Sequence, residues 1–208
     1  LDLTGSTRRR QNGRSANLHP MIQKKKQIVL FLPHRADPAE GVRVAADLLP
    51  LELLQIAAWP EQEGYECVIV DAMVHDDYME RLFELCDGAM LFASSCILGF
   101  QVGHGAKVAR VIRARFPALP IIWGGWFPSV LPEQYFKEGI ADAVALGQGE
   151  LTFWDVVQAL DAGVDLEQVP GLALQREGKV IYTDHRPVVG FDKFPDAPWH
   201  LIDFEQYV

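Results

Sequence analysis

Ala89-Met-Leu-Phe-Ala-Ser-Ser95 is an apolar run that ends in two hydroxyls, and Pro120-Ile-Ile-Trp-Gly-Gly125 is a second apolar run that ends in two bare backbones. Read at finer spacing, Ser95-x-Ile97 is followed after 26 residues by Gly124-Gly125. Unbroken apolar runs of this length mark strands covered on both faces, as in a parallel sheet. Open sheets of that kind bind ligands in the crevice beyond the carboxyl ends of their strands. A small hydroxyl and a glycine pair at two neighbouring strand ends suit a large, flat ligand that approaches the backbone closely.

Outward from this pair the same grammar repeats. Gln27-Ile-Val-Leu-Phe-Leu-Pro33 is another unbroken run, Glu66-Cys-Val-Ile-Val-Asp71 a second, and Ala141 to Leu146 a fifth strand. Between them lie helical patterns: Leu48 to Ala58, Tyr78 to Cys86, Val102 to Phe116, Pro132 to Glu138 and Glu150 to Ala162. The Trp59-Pro60 step is expected to end or kink the first helix. Strand–helix alternation with right-handed crossovers predicts an α/β, doubly wound, flavodoxin-like five-stranded parallel sheet of order 2-1-3-4-5. That order gathers four loops on one edge: Pro33-His34, Ser94-Ser95-Cys96, Gly124-Gly125-Trp126-Phe127 and Gly147-Gln148-Gly149-Glu150.

The style changes after Ala162. Leu172 to Arg176 and Lys179 to Thr183 read as a C-terminal β-hairpin around Glu177-Gly178. Pro187, Pro195 and Pro198 then mark an extended linker, and the last stretch, Pro198 to Val208, has apolar residues with no evident partner. The expected divisions are 1–26, a basic disordered arm or expression remnant; 27–163, the α/β domain; and 164–208, hairpin and linker.

Seven Lys and Arg residues fall in 1–26 against Asp2 alone, whereas the rest of the chain carries 12 basic and 27 acidic residues. An acidic body argues against a nucleic-acid surface. No apolar run reaches the roughly 18 residues that span a bilayer, and the basic start is no signal peptide. Cys67, Cys86 and Cys96 are isolated and form no C-x-x-C or C-x-x-x-C-x-x-C motif. Zinc or an iron–sulfur cluster within this chain is therefore not expected, and the cysteines fit the reducing cytoplasm.

The loop Gly147-Gln148-Gly149-Glu150 opens a helix, so its backbone amides favour negative charge in a ligand. No Lys-Ser/Thr follows, so it is not a P-loop. Glu150 reads equally as a helix N-terminal acid or as an acceptor for ligand hydroxyls and amides.

These pieces, in this order, resemble the N-terminal cobalamin-binding domain of cobalamin-dependent radical S-adenosylmethionine enzymes. The matching stretches are Leu49-Pro50-Leu51, Gly64 to Asp71, Ser95-x-Ile97, Gly124 to Pro128, Leu131-Pro132-Glu133, Gly147 to Glu150, Gly171 to Lys179 and Ala197 to Asp203. The resemblance implies that a corrinoid lies across the carboxyl edge, with its nucleotide tail between the strands bearing the serine and the glycines. Ser94 and Ser95 would hydrogen-bond the tail base, Ile97 would line its channel, and Gly124, Gly125 and Trp126 would flank it. Gly147, Gln148, Gly149 and Glu150 would hold the tail's sugar–phosphate region. The resemblance further implies a radical SAM barrel in the same full-length chain, with a [4Fe-4S] cluster and S-adenosylmethionine, performing methyl transfer or oxidative cyclisation. This fragment alone would bind cofactor and carry no catalytic residue.

The first loop departs from the D-x-H-x-x-G pattern of cobalamin mutases. His34 has no Asp two residues before it and no Gly three after. It stays a candidate near cobalt, with a loop histidine beside the corrin the preferred reading. The alternative function is a stand-alone ligand-binding or receiver-like interaction domain, against which stands Ser94-Ser95 where a receiver needs Asp.

Overall fold

The computed structural model describes residues 26–37 and 48–207. The basic arm expected over 1–26 thus lies outside the described residues except for Lys26. Strands β1 (Gln27–Leu32), β2 (Glu66–Asp71), β3 (Leu91–Ser95), β4 (Ile121–Gly124) and β5 (Ala143–Ala145) pair in parallel in the order 2-1-3-4-5. Helices α1 (Leu51–Gln62) and α6 (Gly149–Ala162) pack on one face; α2 (Tyr78–Leu85), α3 (Phe100–Arg115) and α5 (Pro132–Lys137) pack on the other. A one-turn helix, α4 (Trp126–Val130), occupies the stretch after β4 that reads as loop in the sequence.

All six residues of β1 are buried, which is why its sequence shows no alternation. The alternation reappears in space. Ile28, Leu30 and Leu32 face α1 and α6, whereas Val29 and Phe31 face α2 and α3. Each such side chain taken from water contributes about 1.5–3 kcal/mol toward the cost of ordering the chain. On the second face α3 sits very close to the sheet. A Cβ on Gly105 would stand 2.9 Å from both Pro33 and Trp123, so glycine sets that approach.

The hairpin β6 (Leu172–Arg176) and β7 (Lys179–Tyr182) extends the sheet. β6 pairs antiparallel with β5 and places Leu172, Ala173 and Leu174 in the core. Helix α1 neither stops at Trp59 nor breaks at Pro60, but runs on to Gln62. Proline removes a single backbone hydrogen bond there, its ring is buried, and Glu63 N–H to the Trp59 carbonyl closes the last turn at 3.0 Å.

The terminal stretch does have a partner. Leu201 and Ile202 pack on the α1/α6 face, and the buried Tyr207 hydroxyl donates to Asp71 Oδ2 at 3.1 Å. Burial pushes the Asp71 carboxyl above its ordinary value despite that bond. Cys67, Cys86 and Cys96 are free thiols, all buried. Among the described residues no helix is long and apolar enough to cross a membrane.

Candidate functional site

On the face covered by α1 and α6 the sheet's side chains shrink toward the carboxyl edge. The inward series reads Leu91, Ala93, Ser95 along β3; Ile122, Gly124 along β4; and Ala143, Ala145 along β5. The opposite face carries Phe92 and Trp123 at the same levels. This taper leaves a slot between sheet and helices, a cleft of about 280 Å³. Ile56 of α1 and Phe153 of α6 form apolar walls, and Glu52 and Glu150 stand at the rim. Small-molecule sites run from roughly 300 to 1,000 Å³. The cleft is close to the lower end of that range.

Ser95 pairs with Gly124 in the β3–β4 ladder, and both belong to the cleft face. The Ser95 hydroxyl has no hydrogen-bond partner among the described residues. Ser94, one residue back, also borders the cleft, but the two-residue period of a strand turns its side chain to the other face. Its hydroxyl donates to the Phe31 carbonyl at 3.0 Å, which ties β3 to β1.

The two glycines differ. A Cβ on Gly124 would meet nothing within 4 Å and would project into open space. A Cβ on Gly125 would lie 2.4 Å from the Cys96 carbonyl oxygen and 2.8 Å from Ser95 Oγ, on a backbone with φ +92°. Gly124 therefore keeps the cleft open, and Gly125 lets the ends of β3 and β4 come together.

The α6 N-terminus opens on the cleft with no side chain capping it. Its first-turn amides are available to an anion. Gly147 has φ +68°, which only glycine adopts cheaply, and a Cβ on Gly149 would stand in open space. Gln148 is committed elsewhere: its Nε2 donates to the Val189 carbonyl at 3.1 Å and its Oε1 accepts from Val189 N–H at 2.8 Å. The Glu150 carboxylate has no partner among the described residues.

Of the ten residues singled out in the sequence, the structure brings eight to the cleft: Ser94, Ser95, Gly124, Gly125, Gly147, Gln148, Gly149 and Glu150. Ile97 and Trp126 stand outside it, 51% and 67% exposed, on the loops after β3 and β4. Three further residues shape the site. The Ser129 hydroxyl donates to the Gly125 carbonyl at 2.7 Å and accepts from Gly147 N–H at 3.2 Å, which locks two loops together. Buried Gln101 accepts from Ile97 N–H at 2.8 Å and so holds the turn after β3. Phe191, from the segment after the hairpin, borders the cleft mouth. No motif in the sequence announces any of them: Gln101 and Ser129 are ordinary polar residues reaching four residues back, and Phe191 borders the cleft only through tertiary placement.

His34 belongs to a separate cluster on the α2/α3 side of the edge. Its ring centroid lies 4.8 Å from that of His104 and 5.6 Å from that of Tyr78. His34 N–H donates to His104 Nδ1 at 2.9 Å, so the proton of the neutral His104 ring sits on Nε2, 3.0 Å from the Tyr78 hydroxyl. Burial pulls His104 down to about 4 and lowers His34 as well, so His104 is neutral at pH 7. Among the described residues no three His, Cys, Asp or Glu side chains form a metal-binding group.

Known proteins share this architecture. The chain is 29% identical over 188 residues to the anaerobic magnesium-protoporphyrin IX monomethyl ester cyclase of Synechocystis sp., covering 86% of this chain and 36% of the cyclase. It is 26% identical over 204 residues to the cytidylyl-2-hydroxyethylphosphonate methyltransferase of Streptomyces wedmorensis, covering 76% and 37%. This chain thus spans less than half the length of either relative. In fold it is similar to the radical S-adenosylmethionine methyltransferase TsrM from Kitasatospora setae, solved with cobalamin and a [4Fe-4S] cluster bound. There the TM-score is 0.65 and identity 21%, over 84% of this chain and 32% of TsrM. The cobalamin-dependent radical enzyme OxsB, solved with aqua-cobalamin and S-adenosylmethionine, superposes with TM-score 0.65 at 18% identity, over 78% of this chain and 22% of OxsB. The family model of the B12 binding domain matches residues 41–157, more than half of the chain, and the chain belongs to that family.

Proposed function

We propose that this domain binds cobalamin at the carboxyl edge of its sheet, with the nucleotide tail in the cleft between β3, β4, α1 and α6. The observation that carries this reading is the side-chain taper ending in Gly124, whose missing Cβ leaves space where any other residue would fill it. The chemistry of the walls fits the tail. A flat base suits the apolar slot walled by Ile56, Ala93, Ile122 and Phe153. The unpartnered Ser95 hydroxyl would hydrogen-bond its edge. The uncapped α6 N-terminus is suited to the tail's phosphate, and the Glu150 carboxylate to sugar hydroxyls or amide side chains. Ile97 and Trp126 offer apolar surface on the same edge, where a macrocycle too large for the cleft would lie.

Cobalamin, when bound, supplies cobalt-centred one- and two-electron chemistry. The chain's own residues bind and orient it; none is assigned a catalytic role. We infer that residues 27–163 are the binding unit and 164–208 a hairpin and linker leading to a radical SAM barrel. That barrel would carry a [4Fe-4S] cluster and S-adenosylmethionine and perform methyl transfer or oxidative cyclisation. The cyclase and methyltransferase relatives support both options. Three buried free thiols suit a cytoplasmic setting.

The test is direct. Purified chain mixed with hydroxocobalamin is expected to co-elute with it near one equivalent on gel filtration, with a shifted visible spectrum. A folded chain that elutes colourless sinks the proposal.

A further inference from the structure

The cleft lies between α1 and α6, and a segment outside the matched family module crosses from one of these helices to the other. At its start, the Gln148 carboxamide at the head of α6 makes both of its hydrogen bonds to the backbone of Val189, 41 residues away. At its far end, Phe194 packs edge-on against Trp59 of α1 with ring centroids 5.3 Å apart, and Gln55 of α1 donates to the Pro195 carbonyl at 3.4 Å. Phe191 sits between these two anchorages. It is 82% exposed, yet it borders the cleft, and its ring meets Phe194 at 6.0 Å. The family match ends at residue 157, so nothing in it assigns a role to this segment.

We propose that residues 188–195 are a strap that completes the ligand site, with Phe191 as a ligand-retaining side chain and Gln148 as the residue that positions it. The proposal rests on the cobalamin reading above and deepens it. A large aromatic ring held in water at the mouth of an apolar cleft gains burial once a flat apolar group fills that cleft. The two-point tie from Gln148 imitates one rung of a β-ladder and fixes the backbone two residues before the ring. Gln148 therefore acts on the ligand through the strap. The strap spans both walls, so its effect falls on escape of the bound ligand more than on capture.

The experiment uses the whole chain loaded with hydroxocobalamin and follows release by visible absorbance in the presence of excess scavenging apoprotein. Phe191→Ala and Gln148→Ala are expected to speed release roughly ten- to a hundredfold, with association rates changed by no more than about threefold. Phe204→Ala, an exposed aromatic that does not border the cleft, serves as control and is expected to release at the wild-type rate. Release at the wild-type rate from both variants, in a wild type that does bind, overturns the strap and leaves the cobalamin reading standing. A wild type that takes up no cobalamin overturns the reading and the retention role with it. Hydrogen exchange gives the readout free of ligand. The Val189 amide is expected to be protected in the wild type and to lose that protection in Gln148→Ala; an amide that exchanges freely in both contradicts the placement.

Discussion

A Gly125→Ala variant is expected to lose about 2–5 kcal/mol of stability, from the left-handed backbone and the overpacking together. A typical domain has about 5–15 kcal/mol in total. The added Cβ would meet the Cys96 carbonyl oxygen at 2.4 Å and Cys96 N at 2.9 Å, and both are backbone atoms that no rotamer change can move aside. They belong to the point where β3 and β4 finish their ladder, through Cys96 N–H to the Gly124 carbonyl at 3.2 Å. Relief would require parting the two central strands. The midpoint of urea unfolding reports the loss; a variant as stable as the wild type would show that the strand ends do not approach as described.

The neighbouring position predicts the reverse pattern. Gly124→Leu is expected to fold normally, because its backbone needs no left-handed conformation and an added Cβ meets open space. That space is the cleft. We expect the variant to lose cobalamin affinity by about 100-fold or more, equivalent to about 2.7 kcal/mol. Titration by visible absorbance, with circular dichroism to show the fold intact, measures both halves. Unchanged affinity in a folded Gly124→Leu variant would move the tail to another part of the molecule. The two variants are thus expected to separate folding from binding at adjacent glycines, a division the dipeptide alone does not reveal.

The strands were legible because a strand covered on both faces is largely apolar, as in β1 and β3, whose runs end at the carboxyl edge, and their order followed from the strand–helix alternation with right-handed crossovers. The loop glycines and serines were legible for the same reason, as they mark where those runs stop. The cleft itself was not. It arises from every second residue of three strands, Ala93 and Ser95, Ile122 and Gly124, Ala143 and Ala145, and their alignment exists only once the register is fixed. Pro60 misled because a helix with one lost hydrogen bond and a buried proline ring runs on to its natural end. Tyr207 donates to Asp71 from 136 residues away, and Gln148 clasps Val189 from 41 away. Such ties are made by ordinary polar residues that leave no periodic trace.

We propose that the cleft holds the nucleotide tail and that the macrocycle lies outside it. Comparing the affinities of hydroxocobalamin and cobinamide, which lacks the nucleotide tail, tests this most directly. Cobinamide is expected to bind about 100-fold more weakly or worse, a gap of about 2.7 kcal/mol. Equal affinities for the two corrinoids would contradict it.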